Sequence, residues 1–175
     1  MLKTIAIIAG VVIAAILILA ATKPDTFRVQ RSITIKAPPE KIFPLINDFH
    51  SWVLWSPYEK KDLAMKKTYS SKAAGTGATY AWQGDKNVGK GSMEITKSVA
   101  PSNIVIALDF FEPFEAHNTA EFSLDANGDS TLVTWSMQGP SPYISKIMQL
   151  FFNMDKMVGA DFEVGLAELK TLAEK

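Results

Sequence analysis

The C-terminal end constrains this chain most. Around residues 155–170 (DKMVGADFEVGLAELK), Met154, Val158, Phe162, Gly165, Leu166, Leu169 and Leu172 recur at helical spacing along one side. Lys156, Glu163, Glu168 and Lys170 fall away from that stripe. An apolar stripe of this period is an amphipathic helix that must lie on something. What precedes it alternates almost entirely like β-structure, so the sequence predicts one long helix packed against an antiparallel sheet. Gly159 and Gly165 each cost about 1 kcal/mol in a helix relative to alanine. On the buried side they admit the close approach of a strand or a ligand.

The N-terminal end is of another kind. Residues 4–22 carry no charge, and 5–21 (IAIIAGVVIAAILILAA) are apolar throughout. At helical rise this stretch spans about 28 Å, close to a hydrocarbon core. Cleavage after Ala21 or Ala20 would place Leu19 or Ile18 at the outer recognition position, where a small residue is wanted. No cysteine is present for a lipid anchor. The stretch therefore reads as an uncleaved signal anchor over 1–22, followed by a linker at 23–26. Lys3 stands before it and Lys23, Arg28 and Arg31 after it, and the short positive tail places the N-terminus inside and the folded domain outside. Ala6, Gly10 and Ala14 form a small-residue seam that predicts a weak homodimer.

Residues 27–175 then make one domain, long enough for a single core. Phe27, Val29, Ile33 and Ile35 alternate with polar neighbours as a half-buried strand. Pro38 and Pro39 stop it and start a short helix with Ile42, Ile46 and Phe49 inward. Residues 50–58 (HSWVLWSPY) are irregular and aromatic. Strands are expected at 67–70, 76–82, 91–99, 103–112, 115–125 and 131–138, with a turn at Asn127-Gly128-Asp129. Gly139-Pro140 closes the sheet, Ser141 is placed to cap a helix starting at Pro142, and a break near 153–155 divides that helix from the long one.

Those elements resemble a known family. FRVQRSITIKAPPEKIFPLINDFHSWVLWSP at the front and DFEVGLAELKTLAEK at the back look like the first strand, proline-started helix, tryptophan turn and closing helix of the START-related polyketide cyclase/dehydrase and lipid-transport superfamily, SRPBCC. GATYAWQG, VGKGSMEIT and STLVTWSMQG resemble its small-residue-rich strands. The resemblance implies an α+β helix-grip fold, with a curved antiparallel sheet of six to seven strands wrapped around the long C-terminal helix. It also implies a cavity between them that holds a hydrophobic small molecule or lipid. The large soft side chains placed where such a cavity would lie are Trp55, Tyr80, Trp82, Met93, Phe110, Trp135, Met148, Phe151 and Met154, with Asn118 as a polar orienting group.

Function classes narrow accordingly. Eighteen basic residues equal eighteen acidic ones, which is not the footprint of a nucleic-acid binder. Two histidines without cysteine give no metal set, and no cofactor motif or nucleophile elbow is present. Asp109, Glu94 and His50 are the acid–base candidates with apolar neighbours. The expected function is a membrane-anchored domain binding a hydrophobic small molecule or lipid without chemistry. The alternatives are a cyclase/dehydratase-like enzyme using Asp109 or His50, and a protein-interaction module with a solid core.

Overall fold

The computed structural model describes residues 1–72 and 74–175. In chain order the elements are α1 (Leu2–Ala21), β1 (Thr26–Ile35), α2 (Pro39–Asn47), two 3-10 turns (Phe49–Leu54 and Pro57–Lys60), β2 (Lys66–Tyr69), β3 (Thr79–Gln83), β4 (Lys90–Val99), β5 (Asn103–Glu112), β6 (Ala116–Asn127), β7 (Ser130–Pro140), α3 (Tyr143–Met148) and α4 (Met154–Ala173). The seven strands form one sheet ordered β1-β7-β6-β5-β4-β3-β2. Every neighbouring pair is antiparallel. This is the α+β helix-grip arrangement, with α4 lying against β1, β7 and the second 3-10 turn.

Register follows from side-chain alternation. Val29 faces Met137 and Ile33 faces Val133 across β1 and β7, so the apolar sets of both strands share one face. The β4–β5 register shifts near Ile95/Lys97, and an extra residue of this kind bends a strand. β3 begins at Thr79 rather than Thr76, because Gly75 and Gly77 hold positive φ and keep the chain in a turn.

The C-terminal helical region does break as its length requires. Asn153 Oδ1 accepts a hydrogen bond from the Lys156 backbone N–H at 2.9 Å and starts α4. Ser141 does not cap α3. Pro142 is extended and occupies the cap position, without a side-chain cap bond. Ser141 is turned inward instead, where its Oγ accepts from Gln149 Nε2 at 2.6 Å.

Both glycines of α4 mark close approaches. Arg31 of β1 crosses the helix over Gly159, where a Cβ would collide with the guanidinium. It bonds Asp155 on one side at 3.0 Å and Glu163 on the other at 2.7 Å. A Cβ at Gly165 would meet Pro57 Cδ and Trp135 Cζ3, each at 2.9 Å.

Candidate functional site

A cavity of about 230 Å³ lies between the sheet and the first turns of α4. The sheet supplies Tyr80 and Trp82 from β3, Met93 from β4, Leu108 and Phe110 from β5, Ala120 from β6, and Trp135 and Met137 from β7. These residues alternate along their strands with outward ones, so they share the concave face. Val158, Asp161 and Phe162 of α4 close the opposite side, and the segment from Trp52 to Met65 closes one end. Trp135 stacks on Phe162 at 4.0 Å between centroids, with their planes 10° apart. Trp82 meets Phe110 edge-on at 5.7 Å.

The lining is mostly apolar, with Ser56, Asn87 and two charged corners among it. Glu59, only 6% exposed, accepts a hydrogen bond from the Tyr80 hydroxyl at 2.8 Å and pairs with the Lys67 ammonium through its other oxygen. A buried carboxylate persists only when paired and hydrogen-bonded, and Glu59 has both. Burial, and then the bond to Glu59, push the Tyr80 hydroxyl far above its ordinary value. Near the Tyr58 edge, Lys61 pairs with Asp161 at 2.6 Å and lies over the Tyr58 ring. Burial, and then the Asp161 charge, raise the Tyr58 hydroxyl as well. Ser56 Oγ and Trp135 Nε1 are buried without a hydrogen-bond partner among the described residues, and both residues belong to the cavity wall.

The ten residues expected to contact a ligand fall into distinct places. Tyr80, Trp82, Met93, Phe110 and Trp135 line the cavity. Trp55 lies behind it, fully buried, with its indole N–H donated to Leu45 O at 2.9 Å and its ring edge-on to Trp135. Asn118 sits beside Gly139, occupying the space that a Cβ there would need. Phe151 and Met154 line a separate groove against the start of β1, and Met148 is 44% exposed on α3. The physical reason is the break before Asn153. Met148 and Phe151 come before it and leave the stripe, and Met154, in the first turn of α4, lies beyond the end of the cavity.

The acid–base candidates lie away from the cavity wall. Asp109 faces His117 across β5 and β6, with Oδ1 and Nδ1 2.7 Å apart. That hydrogen bond, and then the charges of Asp109 and Glu115, raise the exposed His117 imidazole. His50 stacks on Tyr69 at 4.3 Å and contacts Asp48 at 2.9 Å. Glu94 is exposed. The buried carboxylate of the cavity wall is Glu59, which sequence reasoning passed over. In EKKD it reads as one charge of a solvated run. The 3-10 turn that Pro57 starts rotates it inward. Among the described residues no three His, Asp or Glu side chains converge as metal ligands.

A family model described as polyketide cyclase / dehydrase and lipid transport matches residues 26–174. No curated protein sequence matches the chain. Among solved structures the chain is similar to a protein from Chromobacterium violaceum, with a TM-score of 0.60 at 15% identity, covering 87% of this chain and 99% of that one. It is similar to the Aha1 dimer from Colwellia psychrerythraea, with a TM-score of 0.57 at 18% identity, covering 85% and 96%. It is also similar to BexL, a di-domain ARO/CYC protein of the BE-7585A biosynthetic pathway, with a TM-score of 0.65 at 12% identity, covering 90% of this chain and 53% of that one. At such identities the likeness is one of fold.

Proposed function

Because the chain belongs to the polyketide cyclase / dehydrase and lipid transport family, we propose that it binds a hydrophobic small molecule, or one end of a lipid, between the sheet and α4 while α1 holds it in a membrane. The observation that carries this reading is the cavity, whose wall is mostly aromatic, methionine and aliphatic, with Ser56, Asn87 and the Glu59 and Asp161 corners as its polar places. A dry apolar cavity of about 150 Å³ accommodates benzene, so about 230 Å³ suits a one- or two-ring ligand or a short length of acyl chain. The unpartnered Trp135 N–H and Ser56 hydroxyl favour a ligand bearing an acceptor oxygen, since an unmade buried hydrogen bond costs about 1–3 kcal/mol. A void of this size weighs against a solid-core interaction module. α1 is long and apolar enough to cross a bilayer, which supports the single-pass anchor.

Full-length protein in mild detergent, examined by native mass spectrometry and lipid extraction, tests the reading. A discrete bound mass is expected, and Ala120→Phe, which fills the cavity from β6, should abolish it. Protein that is empty and ignores hydrophobic probes would overturn it.

The burial of Glu59 favours a second reading, a cyclase/dehydratase-like enzyme with Glu59 as the acid–base group. In that case Glu59→Gln retains the ligand and loses turnover. Unchanged turnover in that variant would discard this role.

A further inference from the structure

α3 and the turn after it are amphipathic in the reversed sense. The helical path runs on past Met148, with the Gln149 N–H donated to Ser145 O and the Phe152 N–H to Met148 O, each at 2.9 Å. Ile144, Met148, Phe151 and Phe152 therefore recur three or four residues apart along one side. That side faces outward, with Ile144 65%, Phe151 64% and Phe152 57% exposed and Met148 exposed between them. The opposite side carries the polar groups inward. Lys146 is buried and pairs with Asp25, and Gln149 Nε2 donates to the buried Ser141 Oγ. A surface helix in water turns its apolar stripe to the core and its charges to solvent. This one does the opposite, and an exposed apolar patch of that kind marks a contact surface.

Its position identifies the partner. The Tyr143 hydroxyl donates to Leu17 O of α1 at 2.6 Å, and Asp25, the partner of Lys146, stands just past the end of α1. α3 is thus fixed to the apolar N-terminal helix at two points. Leu17 lies one turn, about 6 Å, before the end of α1. Helices that lie in a membrane surface bury their apolar face about 5–10 Å into the boundary of head groups and acyl chains, the level at which tyrosine also collects. The depth set by α1 and the depth wanted by the outward face of α3 therefore agree.

We propose that α3 and residues 149–152 lie in the surface of the bilayer that α1 spans, with Ile144, Met148, Phe151 and Phe152 among the acyl chains and Lys146 and Gln149 turned to the folded domain. The partner is the apolar layer of the membrane, and no head-group charge is required. The inference rests on reading α1 as a membrane anchor and gives the anchored domain one orientation. α4 starts directly after this seat, and Val158, one turn into it, belongs to the cavity wall. The seat thus holds the cavity beside the source of a hydrophobic ligand.

The chain has no cysteine, so single labels are clean. Full-length Ile144→Cys, Phe151→Cys, Ile13→Cys and Leu132→Cys, each carrying a nitroxide spin label, are reconstituted into phosphatidylcholine vesicles. Relaxation by oxygen, which concentrates in the bilayer, is compared with relaxation by a water-soluble nickel chelate. The Ile144 and Phe151 labels should be reached by oxygen and lose access to nickel, reading a shallower depth than Ile13 in the middle of α1. Leu132, at the far end of β7, should be open to nickel. An Ile13 label in lipid with Ile144 and Phe151 labels as open to nickel as Leu132 would overturn the seat and leave the anchor standing. Ile144 and Phe151 labels reached by neither reagent would overturn it in favour of a second copy covering the patch. An Ile13 label open to nickel would take down the anchor and the seat together.

Discussion

The two ends of the sheet share one alternating pattern and enclose different interiors. Toward one end, Ile95 of β4, Ile104 and Ile106 of β5, Phe122 and Leu124 of β6 and Val133 of β7 are almost completely buried. Toward the other end of the same strands, Met93, Leu108, Phe110, Ala120 and Met137 border the cavity. The difference lies in what stands opposite. α2 packs on β6 and α4, and α4 contributes the fully buried Leu166 and Leu169. At the hollow end α4 offers Val158 and Asp161, and the sheet offers Ala120. The short Ala120 side chain leaves space there that larger side chains fill elsewhere. Trp135 and Phe162 stand between the two ends as a stacked wall.

Neighbouring residues of one strand sharpen this contrast most. Ile95 and Met93 lie two apart on β4 and face the same way, so Ile95→Ala should cost about 4 kcal/mol and Met93→Ala about 2 kcal/mol. Urea unfolding of the full chain in detergent, followed by tryptophan fluorescence, measures both. Equal losses would mean that the hollow end is as well packed as the solid one. Next in size is Gly165→Ala, at the join. The added methyl meets Pro57 and Trp135 at 2.9 Å, so about 1–3 kcal/mol should be lost to overpacking despite the roughly 1 kcal/mol gained in helix propensity. A stabilised variant would show that the join is loose.

Smaller effects come from titration. Tyr58 and Tyr80 at the hollow end are both raised above 10.0. Their contribution is complete below the unfolded value near 10.0 and is lost as pH rises from there toward the folded values. Unfolding midpoints should therefore fall above about pH 10, and Tyr80→Phe should flatten that fall; an unaltered slope would mean that the hydroxyl is hydrated. The smallest effect belongs to His117, an exposed imidazole raised above 6.5 by Asp109. Its contribution is complete below 6.5 and disappears as pH rises through the folded value. His117→Asn should remove that small step, which a midpoint series between pH 5 and 9 reads.

Much of the fold was legible. Period two along 27–36 and 131–138, a short apolar run at 103–112 and a helical stripe from Met154 to Leu172 specify elements through local geometry alone, and Asn127-Gly128-Asp129 specifies a turn. The helical break was legible from length, while the exact cap was not, because Pro142 moved the start by one residue. The candidate site was legible only in part. Strand parity selects Tyr80, Trp82, Met93, Phe110 and Trp135 as inward residues. Glu59 carried no comparable signal, since the orientation of one residue in a four-residue 3-10 turn depends on the partners that receive it, here Tyr80 and Lys67.

The sequence by itself determined the order of elements, the apolar face of each strand, the long covering helix and the uncharged N-terminal segment. These follow from periodicity and, for the N-terminal segment, from unbroken apolar composition, both properties of neighbouring residues. Only the tertiary structure decided where space remains. Trp55 and Trp135 look alike in sequence, yet one is buried behind the wall and the other forms it. Met148 and Met93 look alike, yet one lies exposed beside α1 and the other beneath α4. A void is a relation between surfaces that are distant along the chain, fixed by the volumes that meet across it, and local pattern carries no measure of that volume.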